Sequence, residues 1–307
     1  MILILGVTAS GKGRLAFDLA ESLGAEIISV DSMKVYRRMD IGTAKPPEEA
    51  RRRVKYHLID VVEPSDSFSV GVFLEAALGA IEQIKSRRRE IVAVGGTALY
   101  MKALLYGLFE GPGTDEQIRA ELRARTETEG LAVLYDELAR VDSAAAERIG
   151  PSDAKRIIRA LEVYQLTGKP ISSFQKQFDA ESPLGDWMII GLRRDKPDSH
   201  SRINTRAKKM ISAGLVDEVG SLLAEGKLLS KQARCAIGYA EIVDYLIGRI
   251  SLEEATELIK KNTRRLAKNQ RTWFKTFRDV NWLDVKADES LEEIFTRAKR
   301  LLAAKGF

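Results

Sequence analysis

The sequence predicts an α/β fold, in which a parallel sheet with a phosphate-binding loop (P-loop) is flanked by helices and interrupted by an all-helical insertion. Three short apolar runs, at residues 1–5, 26–30 and 91–94, alternate with helical patterns. Runs that are apolar on both faces are typical of strands in a parallel sheet covered by helices. A polar or glycine-rich turn follows each run, and such sheets bind ligands at the carboxyl ends of their strands. We therefore expect the functional site at these three turns.

The order of the elements divides the chain into a core and an insertion. Apolar residues at helical spacing predict one helix after the first strand and another at 69–86. Residues 113–182 have helical periodicity and caps but no clear strand, so we interpret them as a helical insertion between core segments 1–112 and 183–307. Later in the core, residues 187–192 predict a returning strand, and the chain is helical after residue 198. A short strand is predicted at 281–285.

The composition excludes several classes of protein. Of the 307 residues, 45% are hydrophobic and 30% charged, which suits a globular protein with a sizeable core. The single cysteine, Cys235, excludes a disulfide scaffold and a cysteine-cluster zinc site, and we interpret His57 and His200 as structural. Any metal should be a hard cation with oxygen ligands. Because the chain shows no membrane-length apolar run and no charged leader, we expect a cytoplasmic protein without a membrane partner. We also predict a monomer, for which the sequence itself offers no signal.

A basic segment late in the chain indicates an anionic partner. The net charge is +5, and eight basic but no acidic residues lie in the range 258–278. Spacings of three and four predict one basic stripe on a helix, formed by Lys260, Arg264, Lys268, Arg271, Lys275 and Arg278. Four apolar residues would dock the helix on the protein, namely Ile259, Leu266, Trp273 and Phe277, and we place Trp273 and Phe274 in the core rather than on a base-stacking platform. A solvated face is the alternative, but the lack of acidic residues favours a phosphate backbone.

Residues 6–13, with the sequence GVTASGKG, predict the P-loop. They contain the G-x-x-x-x-G-K core between a predicted strand and helix, where backbone amides form an anion-binding nest and Lys12 adds a positive charge. The next residue is Gly13, which has no hydroxyl group to offer to magnesium. Either Ser10 or Thr8 assists, or phosphate and water hold the metal, or metal dependence is weakened. By itself, the loop fits a nucleoside triphosphatase or a small-molecule kinase.

A longer set of motifs resembles one family. The segment DSMKVYRRMDIGTAKP at 31–46, with the P-loop before it and GGTALY at 95–100 after it, resembles the tRNA dimethylallyltransferase family. The resemblance continues in order through HLID (57–60), DSFSV (66–70), RIIRALEVY (156–164), RINTR (202–206), AIGY (236–239), TRR (263–265) and QRTWF (270–274). It therefore covers nearly the whole chain.

The resemblance implies an activity and a set of site residues. The activity is transfer of a dimethylallyl group from dimethylallyl diphosphate to N6 of adenosine 37 in tRNAs that read codons beginning with U, with release of diphosphate and with Mg²⁺ as cofactor. The implied catalytic residues are Asp31 as general base, Thr97 near the adenosine, and Lys12. The implied diphosphate-binding residues are Gly6, Thr8, Ala9, Ser10, Gly11, Lys12, Gly13, Arg202 and Arg206. The implied contacts of the tRNA anticodon stem-loop are Asp31, Ser32, Met33, Lys34, Thr97, Arg119, Lys155, Arg156, Ile157, Ile158, Arg159, Arg234, Cys235, Ala236, Ile237, Gly238 and Tyr239.

The chemistry of the reaction requires residues of these types. An adenine amine is a poor nucleophile because its lone pair is delocalised, so a carboxylate must orient it and accept its proton. The leaving diphosphate gathers negative charge, which amides, cations and Mg²⁺ stabilise. Water must be excluded from the cationic allylic carbon, and a base stacked in the anticodon loop must be flipped out to react.

Three positions depart from the family pattern, and two other activities remain open. Besides Gly13, Ala240 and Asn269 stand where the family commonly has basic residues. An enzyme that prenylates free adenine nucleotides would have no use for the basic segment, and a small-molecule kinase would be distinguished by phosphate transfer from ATP. A non-catalytic tRNA-binding protein is disfavoured because Lys12, Asp31 and Thr97 are all present.

Overall fold

The computed structural model describes residues 1–108, 111–174 and 185–306 and divides into two compact units. The first comprises Met1–Leu105 and Leu184–Phe307, and the second comprises Tyr106–Pro183. The change from the first unit to the second comes at residue 105, where the sequence predicts 112. The strand–helix alternation of the first unit ends with α4 (Ala98–Tyr106). The loss of the strand pattern in the sequence becomes visible only some residues later, which explains the difference.

The first unit is built on a parallel six-stranded sheet in the order β3-β2-β4-β1-β5-β6. The strands are β1 (Ile2–Gly6), β2 (Glu26–Val30), β3 (Tyr56–His57), β4 (Ile91–Gly95), β5 (Met188–Arg193) and β6 (Val280–Asp284). The predicted fold class and the five predicted strands are confirmed. The sequence does not predict β3, because two residues are too short to show a period. All residues of β1, β2 and β4 are buried, and all except Glu26 are apolar or small, as the central positions of these strands in the sheet require.

Helices cover the sheet and connect its strands. In the first unit they are α1 (Lys12–Leu23), α2 (Glu48–Arg53), α3 (Val70–Ser86), α4, α9 (Lys196–Ser212), α10 (Leu215–Ala224), α11 (Lys231–Arg234), α12 (Tyr239–Leu246), α13 (Leu252–Phe274) and α14 (Leu291–Ala303). Local signals fix their starts: the Ser69 side chain accepts from the amide of Val72, and capping boxes begin α13 and α14. The core under one face joins strand residues such as Ile4 and Ile190 to α1 and α14.

The second unit is helical throughout its described residues, as the sequence predicts for 113–182. Its helices are α5 (Glu116–Thr128), α6 (Leu131–Val141), α7 (Ser143–Arg148) and α8 (Ala154–Thr167), followed by a 3₁₀ turn at Ile171–Ser173. Leu122, Leu134 and Leu161 pack in a separate apolar core. Residues 175–182 of the predicted insertion lie outside the described residues. Across the described part of both units, no helix is long and apolar enough to span a membrane.

Candidate active site

A cavity of about 1240 Å³ opens at the carboxyl ends of β1, β2 and β4, where the sequence predicts the site. A pocket for one small ligand measures about 300–1000 Å³, so this cavity has room for two substrates. Eight basic side chains line it, namely Lys12, Arg14, Lys34, Lys45, Arg53, Arg202, Arg206 and Lys209. Only two acidic side chains of the described residues, Asp31 and Glu49, share the lining. The cavity therefore suits a multiply charged anion.

The P-loop presents free backbone amides to this cavity. Gly11 caps α1 in a left-handed conformation (φ 96°) with no side-chain hydrogen bond to the helix, so the first amides of α1 keep no internal partner. In the described part of the chain, the N–H groups of Ala9, Gly11, Lys12 and Gly13 have no acceptor. Four unpaired amides at a helix N-terminus form an anion-binding site.

Three side chains form hydrogen bonds with the backbone of the P-loop. The Thr8 amide donates to Oε1 of Gln270 (2.7 Å), and the carbonyl of Ala9 accepts from Nε of Arg202 (2.9 Å). The carbonyl of Ser10 accepts from Nε of Arg194 (2.9 Å). The backbone amide of Thr8 is therefore already bonded and does not donate to a ligand. The Nε group of Arg202 supports the loop. Sequence reasoning missed Gln270 and Arg194 as site residues, although the QRTWF motif contains Gln270 and so offered a signal for it.

Two other predicted loop contacts lie differently from expectation. Gly6 does not line the cavity; a Cβ there would come within 2.7 Å of the Ser10 hydroxyl, so this glycine makes room for the loop. That hydroxyl is buried against Gly6 and has no partner among the described residues. Its position is wrong for the metal contact considered for Ser10, which would require an oxygen exposed to the phosphate.

Asp31 and Thr97 lie at the ends of the neighbouring strands β2 and β4. One carboxylate oxygen of Asp31, Oδ1, accepts from the amides of Met33 (2.9 Å) and Lys34 (3.3 Å). The other oxygen, Oδ2, has no hydrogen-bond donor within the described ranges and is free to accept a proton. The Thr97 hydroxyl accepts from the amide of Ser32 (3.1 Å), which fixes the turn that carries Asp31.

Gln270 joins these two parts of the site. While its Oε1 accepts from Thr8, its Nε2 donates to the carbonyl of Gly96 (2.9 Å), next to Thr97. The side chain is 7% exposed, and a Cβ on Gly96 would come within 2.5 Å of Nε2. The distance between the anion nest and the Thr97 turn is therefore set by one buried amide of α13.

The cations of the cavity lower one another's proton affinity. Burial, aided by Lys34 and Arg206, lowers the pKa of Lys12 from its ordinary 10.5 to about 7, although Asp31 opposes the shift. Burial likewise lowers the pKa of Lys34, with Arg206 contributing, and lowers the pKa of Arg206 itself. A bound anion would relieve this mutual repulsion.

The side chains offer no cage for a metal ion. Among the described residues, no group of three or more His, Cys, Asp or Glu side chains could hold one. Gly13 lacks a hydroxyl, and the Ser10 hydroxyl is buried against Gly6. These donors do not fit a protein-held cation, so a magnesium ion would have to be bound through phosphate oxygens and water.

The predicted contact segment 234–239 contains residues of different kinds. Cys235, Ala236 and Ile237 line the cavity, and Arg234 is exposed on the surface. Tyr239 is fully buried and its hydroxyl donates to Glu218 (2.5 Å). The prediction of a tRNA contact is wrong for its side chain, because a buried tyrosine cannot reach an RNA.

Tyr239 and Glu218 instead hold the loop of the DIGTAKP motif. The Glu218 carboxylate accepts from the amides of Asp40 (2.9 Å), Ile41 (2.7 Å) and Gly42 (3.2 Å). A Cβ on Gly42 would overlap the Tyr239 ring, so the approach requires glycine. The three residues after Gly42 line the cavity, namely Thr43, Ala44 and Lys45.

In the second unit, one buried carboxylate holds the predicted RNA-contact arginines. Glu162 is fully buried and accepts from Nε of Arg119 (3.0 Å) and Nη1 of Arg159 (2.7 Å). Lys155 and Arg156 are exposed, and Ile158 is partly buried. Ile157 lies in the apolar core, so the predicted contact is wrong for its side chain.

The predicted basic stripe of 258–278 is wrong, because two of its members lie beyond the helix and one is buried. Lys275 and Arg278 follow the last residue of α13, and Lys260 pairs with Glu257 (2.6 Å) at 7% exposure. The exposed basic residues of the helix are Lys261, Arg265 and Lys268.

Trp273 also differs from expectation, whereas Phe274 is buried as predicted. Trp273 is 37% exposed and lines the cavity, with Nζ of Lys102 at 5.8 Å from its ring centroid.

The fold and the site together define a class. Free amides and a lysine at the junction of β1 and α1 share one cavity with the carboxylate of Asp31, which follows β2, and this cavity has room for two substrates. This is a P-loop α/β protein that binds a phosphorylated substrate beside an acceptor.

Comparison with known proteins narrows the class to a family. Residues 34–277 match the IPP transferase family. The chain is 45% identical to a tRNA dimethylallyltransferase of Geobacter sulfurreducens, over 94% of this chain and 93% of that protein. It is similar to the solved tRNA isopentenylpyrophosphate transferase of Bacillus halodurans, with 39% identity, a TM-score of 0.73 and coverage of 99% and 95%. A solved eukaryotic dimethylallyltransferase acting on tRNA has 27% identity and a TM-score of 0.82, over 98% of this chain and 77% of that one. This chain belongs to the IPP transferase family.

Proposed function

We propose that this chain transfers a dimethylallyl group from dimethylallyl diphosphate to N6 of adenosine 37 in tRNAs that read codons beginning with U. The observation that carries the proposal is the placement of an unpaired Asp31 oxygen and an anion nest of four free amides in one cavity. The curated relatives named tRNA dimethylallyltransferase support both substrates. The anticodon stem-loop is the proposed partner and the cytoplasm the proposed location, while the monomer stays a prediction.

The residues divide the reaction between them. The diphosphate lies on the amides of Ala9 and Gly11 to Gly13, and Lys12 stabilises the charge that develops as the C–O bond breaks. The adenine amine lies at Oδ2 of Asp31, which accepts its proton as the C–N bond forms. Mg²⁺, bound through diphosphate oxygens and water, would supply further charge neutralisation to the leaving group. The apolar side chains of Leu266 and Trp273 limit access of water to the allylic carbon.

The second substrate is a flipped base, and the exposed basic residues fit its flanking backbone. Lys261, Arg265 and Lys268 lie on the solvent side of α13, whose other side reaches the P-loop through Gln270. Lys155, Arg156 and Arg234 are exposed cations that we propose as further phosphate contacts. Recognition of single-stranded loops with an extruded base is common among RNA-modifying enzymes.

Incubation with dimethylallyl diphosphate, Mg²⁺ and unmodified tRNA carrying adenosine at positions 36, 37 and 38 tests the proposal. Nucleosides are identified by mass spectrometry, with AMP and ATP as parallel acceptors. We expect Asp31→Asn to lower kcat by about 10²–10⁴-fold. Glu49→Gln, which changes the other acidic residue of the cavity, should leave kcat within about twofold.

The other outcomes identify the alternatives. Prenylated AMP without prenylated tRNA would move the chain to the nucleotide-prenylating class. Phosphate transfer from ATP without prenylation would make it a kinase. Full activity in Asp31→Asn would remove the assigned base.

A further inference from the structure

Three cations of the cavity interact with one carboxylate, and no other acidic side chain of the described residues pairs with them. Lys12, Lys34 and Arg206 line the same cavity, and each interacts electrostatically with Asp31. None of the three forms an ion pair within the described residues, whereas Lys45 of the same cavity pairs with two aspartates. The site thus holds an excess of positive charge next to four free amides.

Lys34 is placed for this cluster by the turn that carries the general base. Its amide donates to Oδ1 of Asp31 (3.3 Å), and its side chain contributes to lowering the pKa of Lys12. Burial lowers the pKa of Lys34 itself, as expected for an ammonium group held away from water. Lys34 therefore lines the same cavity as the P-loop, within electrostatic reach of Lys12.

The P-loop of this chain lacks the usual means of holding a cation. Gly13 has no hydroxyl, and a Cβ at this position would meet no atom within 4 Å, so nothing in the packing requires glycine. The neighbouring Ser10 hydroxyl is buried against Gly6. The charge on a bound diphosphate must therefore be balanced by other groups.

We propose that Lys34 belongs to the diphosphate site and that Lys12, Lys34 and Arg206 together supply the positive charge that this P-loop does not hold as a magnesium ion. The diphosphate identity of the ligand rests on the proposed function. It follows that donor binding in this chain depends only weakly on Mg²⁺, and that Lys34 acts on the diphosphate rather than on the tRNA backbone.

Binding of inorganic pyrophosphate to the full chain, measured by calorimetry in EDTA and in MgCl₂, tests this without any transfer reaction. We expect the wild-type affinities in the two buffers to differ by less than about fivefold, below 1 kcal/mol. Lys34→Gln should weaken binding in EDTA by about tenfold, since one charge-assisted contact is lost. Lys208→Gln, which removes the charge of an exposed lysine of α9 that does not line the cavity, should change it by less than about twofold.

Whereas Lys34→Gln removes a positive charge from the site, Gly13→Ser adds the hydroxyl group that the P-loop lacks for binding a magnesium ion. Because the position has room for a side chain, the added hydroxyl should widen the difference in pyrophosphate affinity between MgCl₂ and EDTA to about tenfold. Loss of pyrophosphate binding in EDTA by the wild type would overturn the proposal. So would a Lys34→Gln chain that binds pyrophosphate normally but binds an anticodon stem-loop weakly. Failure of the transfer assay alone would leave these results standing and would count only against the proposed function.

Discussion

Lys12→Met is expected to stabilise the fold while abolishing transfer, and the stabilisation should depend on pH. Folding lowers the pKa of Lys12 from 10.5 to about 7, mainly by burial. Between these two values the unfolded chain binds more protons than the folded chain, so wild-type stability rises with pH across this window. Below pH 7 the ammonium is charged in both states and its destabilising effect is complete.

The magnitude follows from the pKa change. At about 1.4 kcal/mol per unit, a fall from 10.5 to about 7 corresponds to about 5 kcal/mol of destabilisation below pH 7. Methionine has similar length without the charge, but it loses the bond from Nζ to the Val7 carbonyl (3.2 Å), which is worth about 1 kcal/mol. The expected gain is therefore about 4 kcal/mol near pH 6 and about 1 kcal/mol near pH 9.

Urea unfolding of wild type and Lys12→Met at these two pH values measures the difference. Lys209→Met serves as the control, because it removes an exposed lysine of the same cavity and should change stability by less than about 0.5 kcal/mol. A gain of equal size at both pH values, or a loss of stability, would refute the reasoning that a buried charged Lys12 opposes folding.

Three further changes have distinct expected results. Gln270→Glu should lower kcat about tenfold near pH 8, because a carboxylate cannot donate. The ratio of its kcat to that of the wild type should recover as the pH falls toward about 4, the ordinary pKa of a glutamic acid, and a pH-independent loss would leave only a packing role. Tyr239→Phe should lower the free energy of unfolding by about 1–2 kcal/mol and leave the affinity for an anticodon stem-loop unchanged, measured by urea unfolding and filter binding. Burial would raise the pKa of Glu26, but hydrogen bonds from Arg87 and His57 lower it to about 2. Stability should therefore fall as pH drops from 4.5 toward 2 in the wild type, and unfolding curves should show a smaller fall in Glu26→Gln, in which other carboxyls with lowered pKa values, such as that of Asp284, still contribute.

The sequence predicts the sheet well because burial of both strand faces leaves a clear apolar run. The strands β1, β2 and β4 and the turns after them could be located from such runs, and with them Lys12, Asp31 and Thr97. The short edge strand β3 leaves no pattern, and its pairing with β2 is visible only in three dimensions.

The contacts of the supporting residues could not be predicted, even where a motif marks the residue, because their partners are distant in the chain. Gln270 bonds Thr8 across 262 positions, and Glu218 bonds the amide of Gly42 across 176. Helical spacing shows that basic residues share a side of α13, but it cannot show which side faces the protein. A buried Lys260 and a buried Gln270 on the same helix are therefore indistinguishable from solvated residues in the sequence.

The two hydrogen bonds of Gln270, from the Thr8 amide and to the Gly96 carbonyl, also bear on the order of events during synthesis of the protein. The phosphate loop at residues 6–13 leaves the ribosome early, but its strand β1 lies between β4 and β5, and β5 begins only at Met188. The Thr8 amide finds its partner still later, once α13 has been synthesised. Pairings of such long sequence separation form slowly. A nascent chain therefore cannot hold its isoprenoid donor until nearly all of the chain has emerged, and donor binding reports completed synthesis of the core.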